Sequence, residues 1–243
     1  MPAAIEPVYL PECDSVLAEG ARRARAGAPE GTLIWAGHQN AGHGRLGSEW
    51  LSPPGALHCA VILRPELAIA RLGEFVPLSV VALGMALAGL VVPMTELRYR
   101  WPNAVLLSDG RVAGTWLSAG SDWLVLATSV NVTETADAEN FHHACVHFDG
   151  GNPEVTAATM LEAYAHQLVS WLARWDDEGV APVLRHFRTR AEQMHADVTL
   201  CLPGGDPVAG RAEAIDDNGS LVLGTDGGQR VVTINEYLGL PSA

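Results

Sequence analysis

The chain is 243 residues long, enough to bury a full core and to hold one large domain plus a small one. Its 15 Lys and Arg against 28 Asp and Glu give a formal charge of -13, which argues against a general nucleic-acid binder, because neutralising phosphates takes a basic surface. Hydrophobic content of 48% with 18% charged residues is ordinary for a soluble globular chain, so disorder is not expected. In chain order, Asp14 and Ser15 are helix-capping residues, and the Ala/Arg-rich stretch that they open stops near Gly27. Residues 32–36 read as a strand, followed by a glycine-rich loop from Gly37 to Gly47 and a second apolar strand over 57–63. The most apolar segment, 76–92, is stopped by Pro93; it is short for a membrane span and reads as a buried helix. Residues 97–100 alternate like a strand. Three apolar runs follow, 104–107, 111–117 and 123–130, divided by Ser108-Asp109-Gly110 and Gly120-Ser121-Asp122, and such turn chemistry predicts an antiparallel meander.

Asn152 before Pro153 predicts a helix start, and Leu161, Tyr164, Leu168, Leu172 and Trp175 then recur on one helical face. A second helix is expected over 181–194. Beyond it, residues 197–202, 207–215, 220–225 and 229–234 read as short strands separated by glycine turns, the pattern of a small barrel or sandwich. The expected domains are therefore 1–194 and 195–243. Cys13, Cys59, Cys145 and Cys201 lack the paired spacing of a zinc site, and the first twenty residues do not read as an export signal. Reduced thiols and a cytoplasmic location are expected. His142, His143, Cys145 and His147 cluster in what reads as a surface loop, without the second ligand pair of a zinc motif, so no metal site is expected.

The densest chemical signal runs from Gln39 through Gly42, His43, Gly44, Arg45 and Gly47 to Trp50, then Ser52-Pro53-Pro54-Gly55. Closely spaced glycines let backbone N–H groups approach an anion, and Arg45 can grip a phosphate or carboxylate with two donors. A plain flexible loop would share the glycines. This stretch resembles the biotin-binding loop of biotin protein ligases, Gln-x-x-Gly-Arg-Gly-Arg-x-Gly-Arg-x-Trp followed by Ser-Pro-x-Gly. Leu63-Arg64-Pro65, Arg100-Trp101-Pro102-Asn103, Arg111-Val112-Ala113-Gly114 and Ser129-Val130-Asn131-Val132 resemble further motifs of that family in the same order, and 210–223 resembles its C-terminal barrel. The similarity covers nearly the whole chain from about residue 8.

The resemblance implies an α/β (α+β) fold: a mixed, largely antiparallel sheet packed by helices, plus a small src-homology-3-like barrel. It implies a ligase that uses ATP with Mg2+ to adenylate biotin or a related acid, then transfers the acyl group to a lysine of a biotin carboxyl carrier-type or lipoyl-type acceptor domain. Gln39 and Ser15 would meet the acid's head group, with Gly42, His43, Gly44, Gly47, Trp50 and Gly114 around the substrate. Arg45 would hold carboxylate and phosphate, and Arg111 stands where the family has its catalytic lysine. Asn103, Asn131 and Trp50 would line the nucleotide side. Ser15 reads equally well as a helix cap, and Gln39 could tie down its own loop. No counterpart of the family's DNA-binding domain precedes these motifs, so a repressor role is not expected; a homodimer is compatible with the sequence.

Several departures from the family pattern bear on activity. The aspartate expected after Asn103 is Ala104, which cannot ligate a hard cation. Two loop arginines become His43 and Ser48, while Val16 and Leu17 replace a Thr-Asn pair after the serine. Together with Leu46 they make the pocket less polar, which favours a lipoyl or octanoyl ligase or transferase as the first alternative. Octanoyl transferases use a cysteine nucleophile, but no motif near Cys59 or Cys145 supports one. A non-catalytic protein that retains ligand binding is the second alternative, supported by Ala104 and Arg111.

Overall fold

The computed structural model describes residues 5–44, 52–135 and 142–241. Its larger unit is a seven-stranded sheet formed by β1 (Glu6–Leu10), β2 (Thr32–Ala36), β3 (Leu57–Leu63), β4 (Leu97–Arg100), β5 (Ala104–Leu107), β6 (Gly110–Ala119) and β7 (Leu124–Val130). The spatial order is β1-β2-β3-β7-β6-β5-β4, with β1 parallel to β2 and every other pair antiparallel. The turns at 108–110 and 120–122 make the expected meander. β1 was not anticipated: its charged first residue and exposed alternate positions leave little apolar pattern in five residues.

Helix α1 (Val16–Arg25) packs on one face of the sheet against β3 and β7. The approach is close, since a Cβ on Gly20 would lie 2.6 Å from Val125 Cγ1. The opposite face is covered by α2 (Phe75–Ala88), preceded by a 3-10 turn over Ile69–Glu74, and by α3 (Ala157–Glu178) and α4 (Ala181–Arg188). α2 is apolar all round because it is sandwiched between the sheet and the other two helices. The apolar window within Ile69–Ala88 is 72% buried inside the protein, as befits a core helix.

Two helix limits differ from expectation. α3 begins at Ala157 rather than at Asn152. The Asn152 amide donates to Leu90 O at 2.6 Å and its oxygen accepts from Glu154 N, forming a turn, while Thr156 and Thr159 build a reciprocal capping box that starts the helix. α4 stops at Arg188 instead of running to residue 194. The chain beyond it pairs with edge strand β4, through Tyr99 N to Arg190 O at 2.8 Å and Glu192 N to Tyr99 O at 2.9 Å, and this edge pairing replaces further helix.

A buried hydroxyl network ties the layers together. Ser79 Oγ on α2 lies 2.8 Å from Tyr164 Oη on α3 and 2.9 Å from Thr115 Oγ1 on β6, and Thr128 on β7 donates to Tyr164 at 3.2 Å. Tyr164→Phe is expected to lower stability by about 1 kcal/mol, the net value of a buried hydrogen bond, because the remaining hydroxyls still satisfy one another. A lower urea midpoint with an unchanged slope would show it.

The C-terminal segment forms a four-stranded antiparallel sheet, ordered β11 (Gly228–Val232), β10 (Leu221–Thr225), β9 (Val208–Ile215), β8 (Asp197–Leu200), and ends in α5 (Ile234–Leu238). Leu221, Leu223 and Val232 join the core of the larger unit. Trp101 Nε1 donates to Gly219 O at 2.8 Å, and its ring meets that of Tyr237 edge-on at 5.0 Å.

Candidate active site

The site forms where the α1 face of the sheet meets the start of α1. Gly37 N bonds Leu10 O as β1 and β2 end, and the parallel association continues beyond them. Cys13 N donates to His38 O at 3.1 Å, Asn40 N to Cys13 O at 2.9 Å and Ala41 N to Asp14 O at 2.8 Å. This pairing brings Ser15 beside Gln39, although 24 positions separate them in sequence. Ser15 holds the N-cap position of α1, yet its side chain makes no capping bond. Ser15 instead lines a small, open pocket together with Val16, Leu17, Gln39, His43, Trp116, Ala127 and Ser129.

Gln39 is buried, and both ends of its amide are engaged: Oε1 accepts from Val16 N at 2.9 Å and Nε2 lies 3.1 Å from His58 Nδ1. His58 Nδ1 is also 2.8 Å from Ser129 Oγ. Burial, with His38 adding to it, holds His58 down to about 4, so the imidazole is neutral near pH 7.

Arg111 adjoins the site through Trp116. Strict alternation along β6 would send it with Ala113 and Thr115 to the face covered by α2. A bulge against β5, where Val105 pairs with Ala113 but Leu106 pairs with Arg111, changes that parity. The Arg111 guanidinium lies 5.5 Å over the ring of Trp116 and closely against Gly114, where a Cβ would collide with it. Its backbone is clamped by His142 O and Ala144 N, and the Asn131 amide donates to Ala144 O at 3.1 Å and to Arg111 O at 3.4 Å. Burial pulls its pKa down to about 10, countered by Tyr237 and reinforced by Arg100, so it remains a cation at neutral pH.

Of the residues singled out from sequence, Ser15, Gln39 and His43 share the cavity wall, and Gly114 and Arg111 lie against its Trp116. Gly42 is buried and Gly44 half-buried in the loop behind His43. Asn103 donates to Thr115 O at 2.9 Å and Asn131 joins strand ends, so both amides hold backbone around the site. Arg45, Leu46, Gly47, Ser48 and Trp50 lie outside the described residues. The 142–147 segment is not a surface loop: Ala144, Cys145 and Val146 are buried, and His147 Nε2 is bonded to Val155 O. Among the described residues no group of three His, Cys, Asp or Glu is arranged to hold a metal. Cys59 faces the α2 side within the core, its thiol pushed up to about 12 by burial, which removes it as a nucleophile for this cavity.

Sequence reasoning missed His58, Trp116 and Ala127. A usable signal existed, since period-two alternation places Gly114 and Trp116 on one face of β6 and Ala127 and Ser129 on the matching face of β7. His58 is the lone imidazole in an otherwise apolar strand.

The sequence model of the biotin/lipoate A/B protein ligase family matches residues 1–189, and that of the biotin protein ligase C-terminal domain matches residues 197–236. The chain belongs to the biotin/lipoate A/B protein ligase family. It is 30% identical to a biotin--[acetyl-CoA-carboxylase] ligase of Paracoccus denitrificans, over 93% of this chain and 98% of the relative. It is 28% identical to the Mycobacterium tuberculosis protein of the same name, over 90% and 83% of the two chains. The fold matches that of the biotin protein ligase from Aquifex aeolicus, solved in complex with biotin and ATP, with a TM-score of 0.78 over 95% of this chain and 96% of that one at 21% identity. For a member of this ligase family, a pocket with polar side chains in its wall and a guanidinium packed on its Trp116 suits an acid whose carboxylate is to be activated.

Proposed function

We propose that this chain is an ATP-dependent ligase that adenylates biotin and transfers the biotinyl group to a lysine of a biotin carboxyl carrier-type domain. The observation that carries this is the convergence of Ser15 and Gln39 on one cavity with the Arg111 guanidinium seated on its Trp116. The names of the relatives over nearly their whole lengths supply the substrate.

In the first step the biotin carboxylate attacks the α-phosphorus of ATP and pyrophosphate leaves. Negative charge gathers on the oxygens between carboxylate and phosphate, and a fixed cation there lowers the barrier. Arg111 is assigned that role, with Arg45 as its partner from the glycine-rich motif. In the second step the lysine amine attacks the acyl carbon, AMP departs, and an amide forms with loss of a proton. Gly42, Gly44, Gly47 and Trp50 are assigned to substrate binding, and Asn103, Asn131 and Trp50 to the nucleotide side. Magnesium enters with ATP. Ala104 is buried in the paired strand β5 and its methyl side chain carries no oxygen, so it does not fit the side-chain ligand that magnesium would need there. We further assign residues 1–194 to the catalytic unit and 195–243 to the small C-terminal one, and place the protein in the cytoplasm, where its four free cysteines stay reduced.

Incubation with Mg-ATP and biotin, followed by mass spectrometry, is expected to reveal biotinyl-adenylate and then a biotinylated lysine on an added carrier domain. Absence of both would overturn the proposal. A second reading, a lipoyl or octanoyl ligase, is favoured by one observation: Val16, Leu17 and Ala127 make part of the cavity wall apolar. Lipoate and octanoate in parallel reactions separate the two readings by which adenylate forms.

A further inference from the structure

Behind the cavity wall stands a histidine that neither face of the proposed chemistry requires. His58 is 1% exposed, in a strand whose other residues are all buried and apolar. Its Nε2 has no hydrogen-bond partner among the described residues. A buried donor left in that state costs stability, so its retention calls for an explanation. Its Nδ1 supplies one. This single nitrogen is the common partner of Gln39 Nε2 at 3.1 Å and Ser129 Oγ at 2.8 Å, two polar side chains that line the cavity and come from different parts of the chain.

The polarity of the network follows from one fixed donor. Val16 N–H donates to Gln39 Oε1, which turns the Gln39 NH2 toward His58. An NH2 facing Nδ1 requires that nitrogen to be unprotonated, so the proton of the neutral ring sits on Nε2. Nδ1 then offers a lone pair to the Gln39 amide and to the rotatable hydroxyl of Ser129. With Ser129 donating inward, its oxygen lone pairs are left for the cavity, and Gln39 keeps a second N–H. The wall thus presents a donor beside an acceptor.

We propose that His58 is a positioning residue that locks Gln39 and Ser129 into this donor-acceptor pair, the arrangement in which they can meet the cyclic-urea head group of the proposed substrate. This rests on the acyl-ligase reading and names what makes its cavity discriminate. An apolar chain or a dithiolane ring would leave both groups unsatisfied, whereas a cyclic urea satisfies both.

His58→Leu removes the acceptor and frees the Gln39 amide. The KM for biotin is expected to rise about tenfold, the scale of one unsatisfied buried amide donor, with kcat and the KM for ATP within about twofold of the parent. Desthiobiotin, which keeps the cyclic urea but lacks the sulfur ring, should lose affinity by the same factor. His58→Asn, which keeps an acceptor near the Nδ1 position, should recover most of the loss. Should the leucine variant not fold, Ser129→Ala decides, with an expected rise of about threefold to fivefold in the KM for biotin alone. An unchanged KM for biotin, a parallel rise in the KM for ATP, or no recovery with asparagine would overturn the inference while leaving the ligase reading standing. A parent protein that adenylates no biotin would overturn the ligase reading and this inference with it.

Discussion

Arg111→Ala is expected to slow acyl-adenylate formation by about a hundred- to a thousand-fold, the scale of losing one preorganised charge-stabilising group, while leaving the fold in place. The guanidinium is the cation that β6 delivers to the cavity side of the sheet, and the bulge at Val105/Leu106 is what aims it there. Its backbone stays clamped by His142 O, Ala144 N and Asn131 whatever side chain it carries, so the melting temperature should move by only a few degrees. Gly114→Ala tests the same point with the arginine still present. The added methyl would collide with the guanidinium and lie 2.8 Å from the Trp116 ring, so the cation must shift, and misplacement of a catalytic group by about 1 Å can cost about a hundredfold. Arg111→Lys keeps the charge and should retain turnover, because the ammonium is a compact point charge on a flexible stem. Pyrophosphate release measured across the three variants gives the order Lys above Ala at Gly114, and that above Ala at Arg111. An Arg111→Ala enzyme with the parent rate would remove Arg111 from the chemistry.

How far the sequence discloses this protein depends on whether a feature is local. The meander from β5 to β7 was legible because short apolar runs were cut by Asp-Gly and Gly-Ser-Asp turns, and each strand stands within a few residues of its expected place. The start of α3 was misread because Asn152-Pro153 satisfies the local rules for a helix cap, yet the amide is taken by Leu90 O, an acceptor 62 positions away. The end of α4 was misread for a similar reason, since Tyr99 on the sheet edge competes for the same backbone. Within the site, Gln39 and Ser15 could be named from motifs, but their meeting depends on a parallel association of two loops that no local pattern encodes. Arg111 shows the limit most clearly. Its identity as a cation was read from the motif, whereas the face on which it emerges was set by one extra residue in β6, which period-two counting places on the wrong side.

The buried histidine also predicts how stability responds to acid. His58 is held to about 4 by burial, against about 6.5 in an unfolded chain. Between those values the unfolded state binds a proton that the folded state refuses, so stability falls as the pH drops from about 6.5 towards 4 and is fully present above that window. From pH 7.5 to pH 5 the expected loss from this one group is about 2 kcal/mol, or about 4–8 °C in melting temperature for a chain of this size. His143 and His186 are held below their ordinary range by burial and act in the same direction. Asp14, held to about 2 chiefly by its hydrogen bonds from Arg22, loses its contribution only in more acid solution. The comparison that isolates His58 is therefore between the parent and His58→Asn, melted side by side at pH 7.5, 6 and 5. The asparagine side chain does not titrate, so its variant should start less stable at pH 7.5 and lose about 2 kcal/mol less on the way to pH 5. Parallel curves would mean that His58 takes up a proton in the folded protein as easily as in the unfolded one. In that case burial would not be what keeps the imidazole neutral, and the Gln39 and Ser129 geometry would be lost as the pH falls below about 6.5.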